Sequence, residues 1–332
     1  MGRYILKRLL WMIPIILGVT VLVFTMMTIC PGDPATTILG SLATEEALAA
    51  KRVELGLDQP YFKRLVQYLI DVYIRFDLGA SWISKIPIIS EIKVRLPRTM
   101  ILSLFTTMLS FGIGIPLGIS AATKQGRWQD HLTMVVAMVG CSMPNFWLAM
   151  MLVLLFAVKL KWLPALGIGT GIAGLKYYIL PAVSNFATGM AIAARQTRSS
   201  MLDVIRSDYI TTARAKGVPE KSVIRRHALK NALIPIITLV GTTFGNMLGG
   251  ALIIETIFSI PGMGTYIIGA VGNRDYPVVQ AGTIFLAIVF SVFMLLVDIA
   301  YAAVDPRIKA QYAAKGGKGA KAPSKKAKEA KA

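Results

Sequence analysis

Histidine and cysteine are scarce in this sequence, which has two of each among its 332 residues. This scarcity excludes a disulfide framework and a zinc site, and both His131 and His227 stand beside charged residues, where a solvated side chain is ordinary. None of the signatures H-E-x-x-H, G-x-S-x-G or G-x-x-x-x-G-K-[ST] occurs. We therefore predict a protein that is not an enzyme and holds no metal or cofactor, and if it uses ATP, another chain must bind it.

Charged residues are also few, at 16% against 55% hydrophobic residues, which excludes an ordinary soluble domain. The sequence contains six blocks that are nearly free of charge, each about as long as the 20 residues that cross a bilayer as a helix. They cover approximately residues 9–29, 99–121, 132–156, 175–194, 232–254 and 279–302. This pattern predicts an all-α, polytopic membrane protein with six transmembrane helices.

The net charge of +19 raises the alternative of a nucleic-acid-binding protein, but the positions of the basic residues indicate a membrane protein instead. If six helices alternate, 23 of the 36 basic residues lie on one side and 13 on the other. Basic residues mark the cytoplasmic side of membrane proteins. We therefore predict a multi-pass cell-membrane protein with both termini in the cytoplasm, membrane lipid as its surroundings and no nucleic-acid partner.

The chain divides into four parts by composition. Residues 1–30 resemble a signal peptide at first sight, but the apolar stretch is long and Cys-Pro-Gly-Asp-Pro follows it, so we favour a retained first helix. Residues 31–98 form an extracytoplasmic segment, and residues 99–308 form a core of five helices that includes a cytoplasmic loop, 195–231. Residues 309–332 are rich in lysine and lack an apolar period, so we expect a solvated, disordered tail.

The segment 31–98 contains signals for short helices. Thr44 is placed to cap one helix, and apolar residues between Gln59 and Ile74 recur at helical spacing, with Phe62, Leu65 and Leu69 on one face. Two interpretations remain open: a lid at the membrane interface, or a docking platform for an external partner.

Glycines recur at four-residue spacing in two of the predicted spans. They are Gly114 and Gly118 in the second span, and Gly241, Gly245 and Gly249 in the fifth. Small residues at this spacing let helix backbones approach closely in a membrane. We expect close helix packing at these positions.

The loop 195–231 reads as a helix, a stop and a second helix. Ser207 or Asp208 is placed to cap the first helix, Ile205, Tyr209 and Ala213 would stack along it, and a cation suits its last turn. Gly217 is expected at positive φ, and a proline follows at the start of the second helix. A pair of this kind is shaped to enter a groove on a cytoplasmic partner, although an anchor on lipid headgroups would also explain its basic residues. The predicted contact residues are Tyr209, Ala213, Arg214, Ala215, Lys216, Gly217, Pro219 and Glu220.

This loop resembles the cytoplasmic motif of ATP-binding-cassette importer permeases, in the form found in B-type permeases of dipeptide, oligopeptide and nickel importers. The matching residues are Thr212-Ala-Arg-Ala-Lys-Gly217 and Arg226-His-Ala-Leu-Lys-Asn231, together with Pro31-Gly-Asp-Pro34, Leu55-Gly-Leu-Asp58, Asp77-Leu-Gly-Ala-Ser81, Ser142-Met-Pro-Asn-Phe146, Trp162-Leu-Pro164, Glu255-Thr-Ile-Phe-Ser-Ile-Pro-Gly262 and Asp305-Pro-Arg307. The sequence departs from the broader motif at Thr211 and Thr212, where that motif has Glu and Ala.

The resemblance implies the permease fold of a type I importer and a defined set of partners. These are a second, homologous permease in a heterodimer, two ATPase subunits that bind ATP and magnesium, and an extracytoplasmic substrate-binding protein. Systems with similar permeases carry dipeptides, longer peptides, glutathione, nickel complexes or oligosaccharides. We expect peptides as the cargo.

Four polar residues in or near the predicted spans are candidates for the translocation pathway. Glu255 and Asp298 are carboxylates at membrane depth, where ionisable groups are functional candidates by default, although Glu255 could also be exposed or act as a cap. Asn145 and Asn246 could contact a substrate backbone or hydrogen-bond between helices, and we favour the second role.

Two other classes of function fit the sequence less well. A channel or an ion-coupled carrier working alone would need ionisable residues along several spans or internal repeats, and neither is present. A membrane enzyme would need a nucleophile with its base, or a set of metal-ligating residues, and the sequence contains neither pattern.

Overall fold

The computed structural model describes residues 2–169 and 171–304, and within these ranges the regular structure is helical. One isolated antiparallel bridge, between Ala80 and Pro87, is the exception. The thirteen α-helices in the described ranges are α1 (Gly2–Ile29), α2 (Pro34–Leu39), α3 (Glu45–Glu54), α4 (Tyr61–Tyr73), α5 (Ile88–Thr123), α6 (Trp128–Ser142), α7 (Asn145–Leu152), α8 (Ile179–Ile205), α9 (Asp208–Ala215), α10 (Glu220–Ser222), α11 (Leu229–Ile257), α12 (Met263–Gly272) and α13 (Tyr276–Val304). Two π-helical stretches, Val153–Lys159 and Val223–Ala228, continue α7 and precede α11, and a 3-10 helix, Ile172–Tyr178, precedes α8.

The predicted all-α membrane class is confirmed, but the count of six spans is not matched. Four described helices are long and apolar enough to cross a membrane, within Ile5–Ile29, Ile88–Thr123, Glu220–Gly249 and Tyr276–Ala302. A fifth span results if the bent pair α6 and α7 is counted as one. The remaining predicted span falls in α8, which is 27 residues long but buries polar side chains such as Ser184, Asn185 and Thr197. Its composition suits a helix surrounded by protein rather than by lipid.

The predicted span 132–156 is broken rather than straight. α6 and the following helical stretch, Asn145–Lys159, meet at 97°. Pro144 lies at the bend and disfavours helical geometry in the residue before it, and Met143 accordingly has φ −81° and ψ 126°.

The predicted close packing is present at four of the five glycines. A Cβ on Gly114 would lie 2.7 Å from the Ala193 Cβ, and one on Gly118 would lie 2.5 Å from the Ala194 carbonyl oxygen, so α5 and α8 touch through their backbones. At Gly241 and Gly245 the space is instead taken by side chains of α13, those of Met294 and Phe290. Gly249 has open space around it, so the expectation was wrong there.

The loop between α1 and α5 (residues 30–87, hereafter the first loop) contains the predicted short helices. Thr44 caps α3 by accepting a hydrogen bond from the backbone N–H of Ala47 at 3.3 Å, as expected. The amphipathic helix is α4, which lies along α1. The Tyr61 hydroxyl is 2.6 Å from the Thr25 hydroxyl, and the Tyr73 hydroxyl is 2.6 Å from that of Thr20. Leu65 and Leu69 are half-buried, but Phe62 remains 76% exposed.

Candidate functional site

The helix–stop–helix motif forms a sharp corner at residues 207–222, hereafter the corner. Gly217 has φ +76°, as predicted, and its amide donates to the Arg214 carbonyl oxygen at 2.9 Å. Pro219 follows with φ −57° and ψ 137° at the N-cap of α10. A β-carbon on Gly217 would meet nothing within 4 Å, so the requirement for glycine comes from backbone conformation alone.

The N-terminus of α9 differs in detail from the predicted cap. Ser207 occupies the N-cap position with extended backbone angles, but its side chain makes no capping hydrogen bond. Its hydroxyl instead donates to the Val204 carbonyl oxygen at 2.6 Å, at the end of α8. Ser207 therefore ties α9 back to α8.

An ion pair that the sequence analysis did not predict spans the corner. The Arg214 guanidinium donates to both carboxylate oxygens of Glu220, with Nε–Oε2 3.0 Å and Nη2–Oε1 2.7 Å. The Glu220 carboxylate raises the pKa of Arg214. This bidentate pair fixes the angle between α9 and α10 on the exposed side of the corner.

The side chain that anchors the corner is Ile210, and the predicted stack through Tyr209 was wrong. Ile210 is 0% exposed, whereas Tyr209 is 46% exposed and its hydroxyl accepts a hydrogen bond from the Asn231 amide at 3.0 Å. Ile210 belongs to a buried cluster with side chains from α5, α8, the π-helical stretch and α11, namely Ala122, Met201, Val223, Ala228 and Ala232. A displacement of the corner must therefore act on these helices together.

The remaining predicted contact residues lie on the outer surface of the corner. Ala213 is half-buried, and Ala215, Lys216 and Pro219 are exposed. A row of exposed cations continues along the second helix, comprising Lys221, Arg225, Arg226 and Lys230. This surface is positively charged and suits an acidic partner or anionic lipid.

Near the corner, α6 and α8 are joined by an ion pair that the sequence analysis also missed. Asp130 is 3% exposed and accepts two hydrogen bonds from Arg198, at 2.6 and 2.8 Å. A third hydrogen bond, from the backbone N–H of Gly126, reaches its second oxygen at 3.0 Å. The turn between α5 and α6 is therefore fixed to α8.

Two of the four pathway candidates lie together inside the bundle. Asn145 and Asn246 line one cavity of about 370 Å³ between α7, α8 and α11. The Asn145 amide donates to the Asn185 side-chain oxygen at 2.9 Å, which is the interhelical role we favoured. Asn185 and Thr188, which lie in the same cavity, were not predicted, because the sequence predicts a helix there but not which of its faces packs against α7.

The other two pathway candidates are not brought to this cavity. Glu255 is 0% exposed and accepts hydrogen bonds from the Thr99 hydroxyl at 2.6 Å and the Thr265 backbone N–H at 3.0 Å. It therefore caps α12 and joins it to α5 and α11, and Gly262 leaves the space that its carboxylate fills. Asp298 pairs with Arg8 at 3.0 Å and links α13 to α1. Their assignment to the pathway remains a prediction, while the contacts observed are structural.

Among the described residues, no group of three or more histidine, cysteine or acidic side chains is arranged to hold a metal ion. Both cysteines, Cys30 and Cys141, are free thiols.

Family models cover most of the chain. The model of the binding-protein-dependent transport system inner membrane component matches residues 114–310, and that of its N-terminal part matches residues 1–104. The chain belongs to this family. It is therefore a multi-pass inner-membrane component of a transport system that depends on a binding protein.

Relatives of known name support the same family over nearly the whole length. The dipeptide transport system permease protein DppB of Alkalihalophilus pseudofirmus is 44% identical over 333 residues, covering 93% of this chain and 100% of the relative. The glutathione transport system permease protein GsiC is 41% identical in Salmonella typhimurium and 40% identical in Escherichia coli K12, each over 93% of this chain and 99% of the relative.

A solved structure shares the fold. A chain of the MetNI methionine ABC transporter, in an inward-facing conformation, aligns with a TM-score of 0.52 and 18% identity over 65% of this chain and 96% of that chain. The importer-permease fold predicted from the sequence is thereby confirmed, since the family and this likeness agree.

Proposed function

We propose that this permease is one of the two membrane subunits of an ATP-binding-cassette importer that moves peptides, delivered by an external binding protein, into the cell. The observation that carries the proposal is the 44% identity to a dipeptide permease over the whole of that relative. The glutathione permeases, at 41% identity, favour the same cargo class, since glutathione is itself a small peptide.

The proposal assigns the ATP chemistry to other subunits. A second, homologous permease completes a heterodimeric pathway, and two ATPase subunits bind ATP and magnesium. The absence of a phosphate-binding loop signature from the sequence supports this division. The corner and both termini face the cytoplasm in this arrangement, and the first loop faces outward.

The corner is proposed to be the contact with the ATPase subunit. It combines a buried anchor at Ile210 with an exposed, braced and basic outer surface. When ATP binding closes the ATPase pair, the corners of the two permeases move together, and the outward-facing arrangement of the bundle is favoured; hydrolysis restores the inward-facing one.

The helices that meet at the corner also line the cavity at Asn145 and Asn246, hereafter the polar cavity. α8 begins at Ile179, contributes Asn185 to the cavity and reaches Ile205 beside the corner, about 30 Å further along at 1.5 Å per residue. α11 begins next to the corner and contributes Asn246. Rigid tilting of these two helices converts a displacement of the corner into a change in the width of the cavity.

Reconstitution tests the proposal. The chain should be purified with its partner subunits, placed in liposomes, and supplied with binding protein and a radiolabelled dipeptide. We expect uptake that needs ATP inside and is blocked by vanadate. Uptake by the purified chain alone, driven by an ion gradient, would instead establish a carrier.

Orientation is tested in intact cells. A cysteine at position 221, introduced as Lys221→Cys in a chain with Cys30 and Cys141 replaced by serine, should not react with a membrane-impermeant maleimide. Strong labelling would reverse the proposed topology.

A further inference from the structure

A second polar cavity lies at the end of the bundle opposite the corner. Its volume is about 330 Å³, and it is lined by the outer part of α1, the polar side of α4, the turn at residues 77–82 and the start of α13. The lining residues that matter here are Arg64, Gln67, Tyr68, Asp71, Trp82 and Gln280.

The walls of this cavity are held in place by contacts with the neighbouring helices. α4 is held to α1 by the two tyrosine–threonine hydrogen bonds described above and by the stacking of Tyr68 on Phe24, with ring centroids 5.5 Å apart. On the other wall, the Asp275 carboxylate accepts a hydrogen bond from the Ser81 hydroxyl and another from the Trp82 backbone N–H, the latter at 3.0 Å. The cavity is therefore preorganised rather than formed by loose loops.

Charges of both signs line the cavity at a defined spacing. Arg64 and Asp71 are seven residues apart on α4, so they share one face about 10 Å apart along the axis. Arg64 makes no ion pair in the part of the chain that the structure describes; burial lowers its pKa, although Tyr276 and the Asp58 carboxylate act in the opposite direction. Asp71 accepts hydrogen bonds from Arg75 at 2.7 Å and from the Gln67 amide at 3.1 and 3.2 Å, and a second carboxylate, Asp77, also lines the cavity.

Unused hydrogen-bonding groups lie between the two charges. The buried Tyr68 hydroxyl has no hydrogen-bond partner among the described residues. Gln280 faces the same space from α13, and the rings of Trp82 and Tyr276, 5.3 Å apart, form an aromatic wall. A buried hydroxyl without a partner is costly unless a ligand or water satisfies it.

We propose that this cavity is a binding site for the two charged ends of a short peptide, with Arg64 receiving the carboxylate and Asp71 the ammonium group. An extended chain spans at most about 3.5 Å per residue, so a tripeptide matches the spacing of about 10 Å and a dipeptide reaches it with side-chain adjustment. The volume lies at the lower end of the range of about 300–1,000 Å³ for small-ligand sites. The inference rests on the proposed function for its ligand class and adds a site where the peptide is held before it reaches the polar cavity at Asn145.

Direct binding tests this inference in the assembled transporter. The full complex, in nanodiscs and without the binding protein, should be titrated with trialanine, trialanine amide and N-acetyl-trialanine by saturation-transfer NMR. The two derivatives lack one charge each. We expect the unmodified complex to prefer trialanine over both.

Two variants then test which charge is responsible for each preference. Arg64→Gln should weaken trialanine binding about tenfold and abolish the preference over the amide, and Asp71→Asn should do the same for the acetylated peptide, because each removes one charge-assisted hydrogen bond. Lys63→Gln removes a neighbouring exposed cation that does not line the cavity, so this control should stay within about twofold of wild type.

The outcomes separate this inference from the proposed function. If the unmodified complex imports peptides but binds the three probes equally, or if Arg64→Gln and Asp71→Asn retain wild-type preferences, the site is overturned and the function stands. If Arg64→Gln weakens attachment of the binding protein while trialanine binding is unchanged, the cavity is a docking surface instead. If the unmodified complex imports no peptide, the proposed function itself is overturned.

Discussion

The corner is held to the bundle mainly by the fully buried aliphatic side chain of Ile210, assisted by hydrogen bonds at Ser207 and Tyr209, whereas the first loop is held by polar side chains that reach both α1 and α13. An apolar anchor with exposed charges around it leaves the corner free to move with an external partner while staying attached to α5, α8 and α11. Several directional hydrogen bonds, by contrast, hold the first loop in one position. The difference suggests that motion originates at the corner and that the first loop serves as a fixed frame for recognition.

Removing the anchor is expected to have the largest effect. Ile210→Ala should destabilise the docked corner by about 2–5 kcal/mol, because a buried aliphatic side chain is replaced by a cavity. Hydrogen exchange should then increase in residues 207–222 but not in the first loop, and peptide-stimulated ATP hydrolysis by the complex should be lost. Protection at the wild-type level would show that the corner has another anchor.

The rigidity of the first loop is tested at Asp275, which holds the loop to α13. Asp275→Ala leaves the Ser81 hydroxyl and the Trp82 amide without their acceptor, at a cost of about 1–3 kcal/mol for a buried unsatisfied group. We expect faster exchange and easier proteolysis at residues 77–87, with the corner unchanged. An equal increase in exchange at the corner would contradict the conclusion that the corner and the first loop are held independently.

Backbone conformation at the corner should matter somewhat less. Gly217→Val forces a β-branched residue to positive φ, which costs about 1–2 kcal/mol, while the open space around the residue removes any steric contribution. The bundle should insert and assemble with its partners, yet binding protein with peptide should no longer stimulate ATP hydrolysis. Gly217→Asn, which tolerates positive φ better, is the matched control and should retain most of the stimulation. Wild-type coupling in the valine variant would mean that the corner angle is not transmitted.

The smallest effect is expected from the exposed ion pair between Arg214 and Glu220. Arg214 and Glu220 are about half-exposed, so the pair should contribute no more than about 1 kcal/mol, and less at high salt. Glu220→Gln should lower the stimulated ATPase rate modestly at low ionic strength and leave it unchanged at 0.5 M salt. A loss that persists at high salt would indicate that Glu220 contacts the partner directly.

Features with a local chemical cause were predictable from the sequence. The Thr44 cap, the amphipathic helix α4 and the positive φ of Gly217 depend on residues a few positions apart, and the structure contains all three. The family was predicted from the whole set of matching motifs, and the family models confirm it.

Features that depend on which helices meet were not predictable. The ion pair of Asp130 with Arg198 and the bond of Ser81 with Asp275 join residues far apart in the chain, and no local pattern marks them. Ile210 was missed because the predicted stack continued the spacing of Ile205 through Tyr209, whereas α8 ends at Ile205 and the direction of α9 relative to α8 decides which of its side chains is buried. The bend at Met143 was signalled by Pro144, but hydrophobicity alone favoured one straight span.

The composition of α8 also affects how the protein is made. Only 11% of the residues in the apolar windows of α1 and α13 are buried within the chain, so lipid can accept these helices one by one as they are synthesised. α8 carries Ser184, Asn185 and Thr197 on faces that α5 and its neighbours cover, and such a helix gains little from entering hydrocarbon alone. Membrane insertion of α8 therefore requires that α5 is already in place, so insertion and tertiary packing are a single step for this helix and separate steps for the first and last ones.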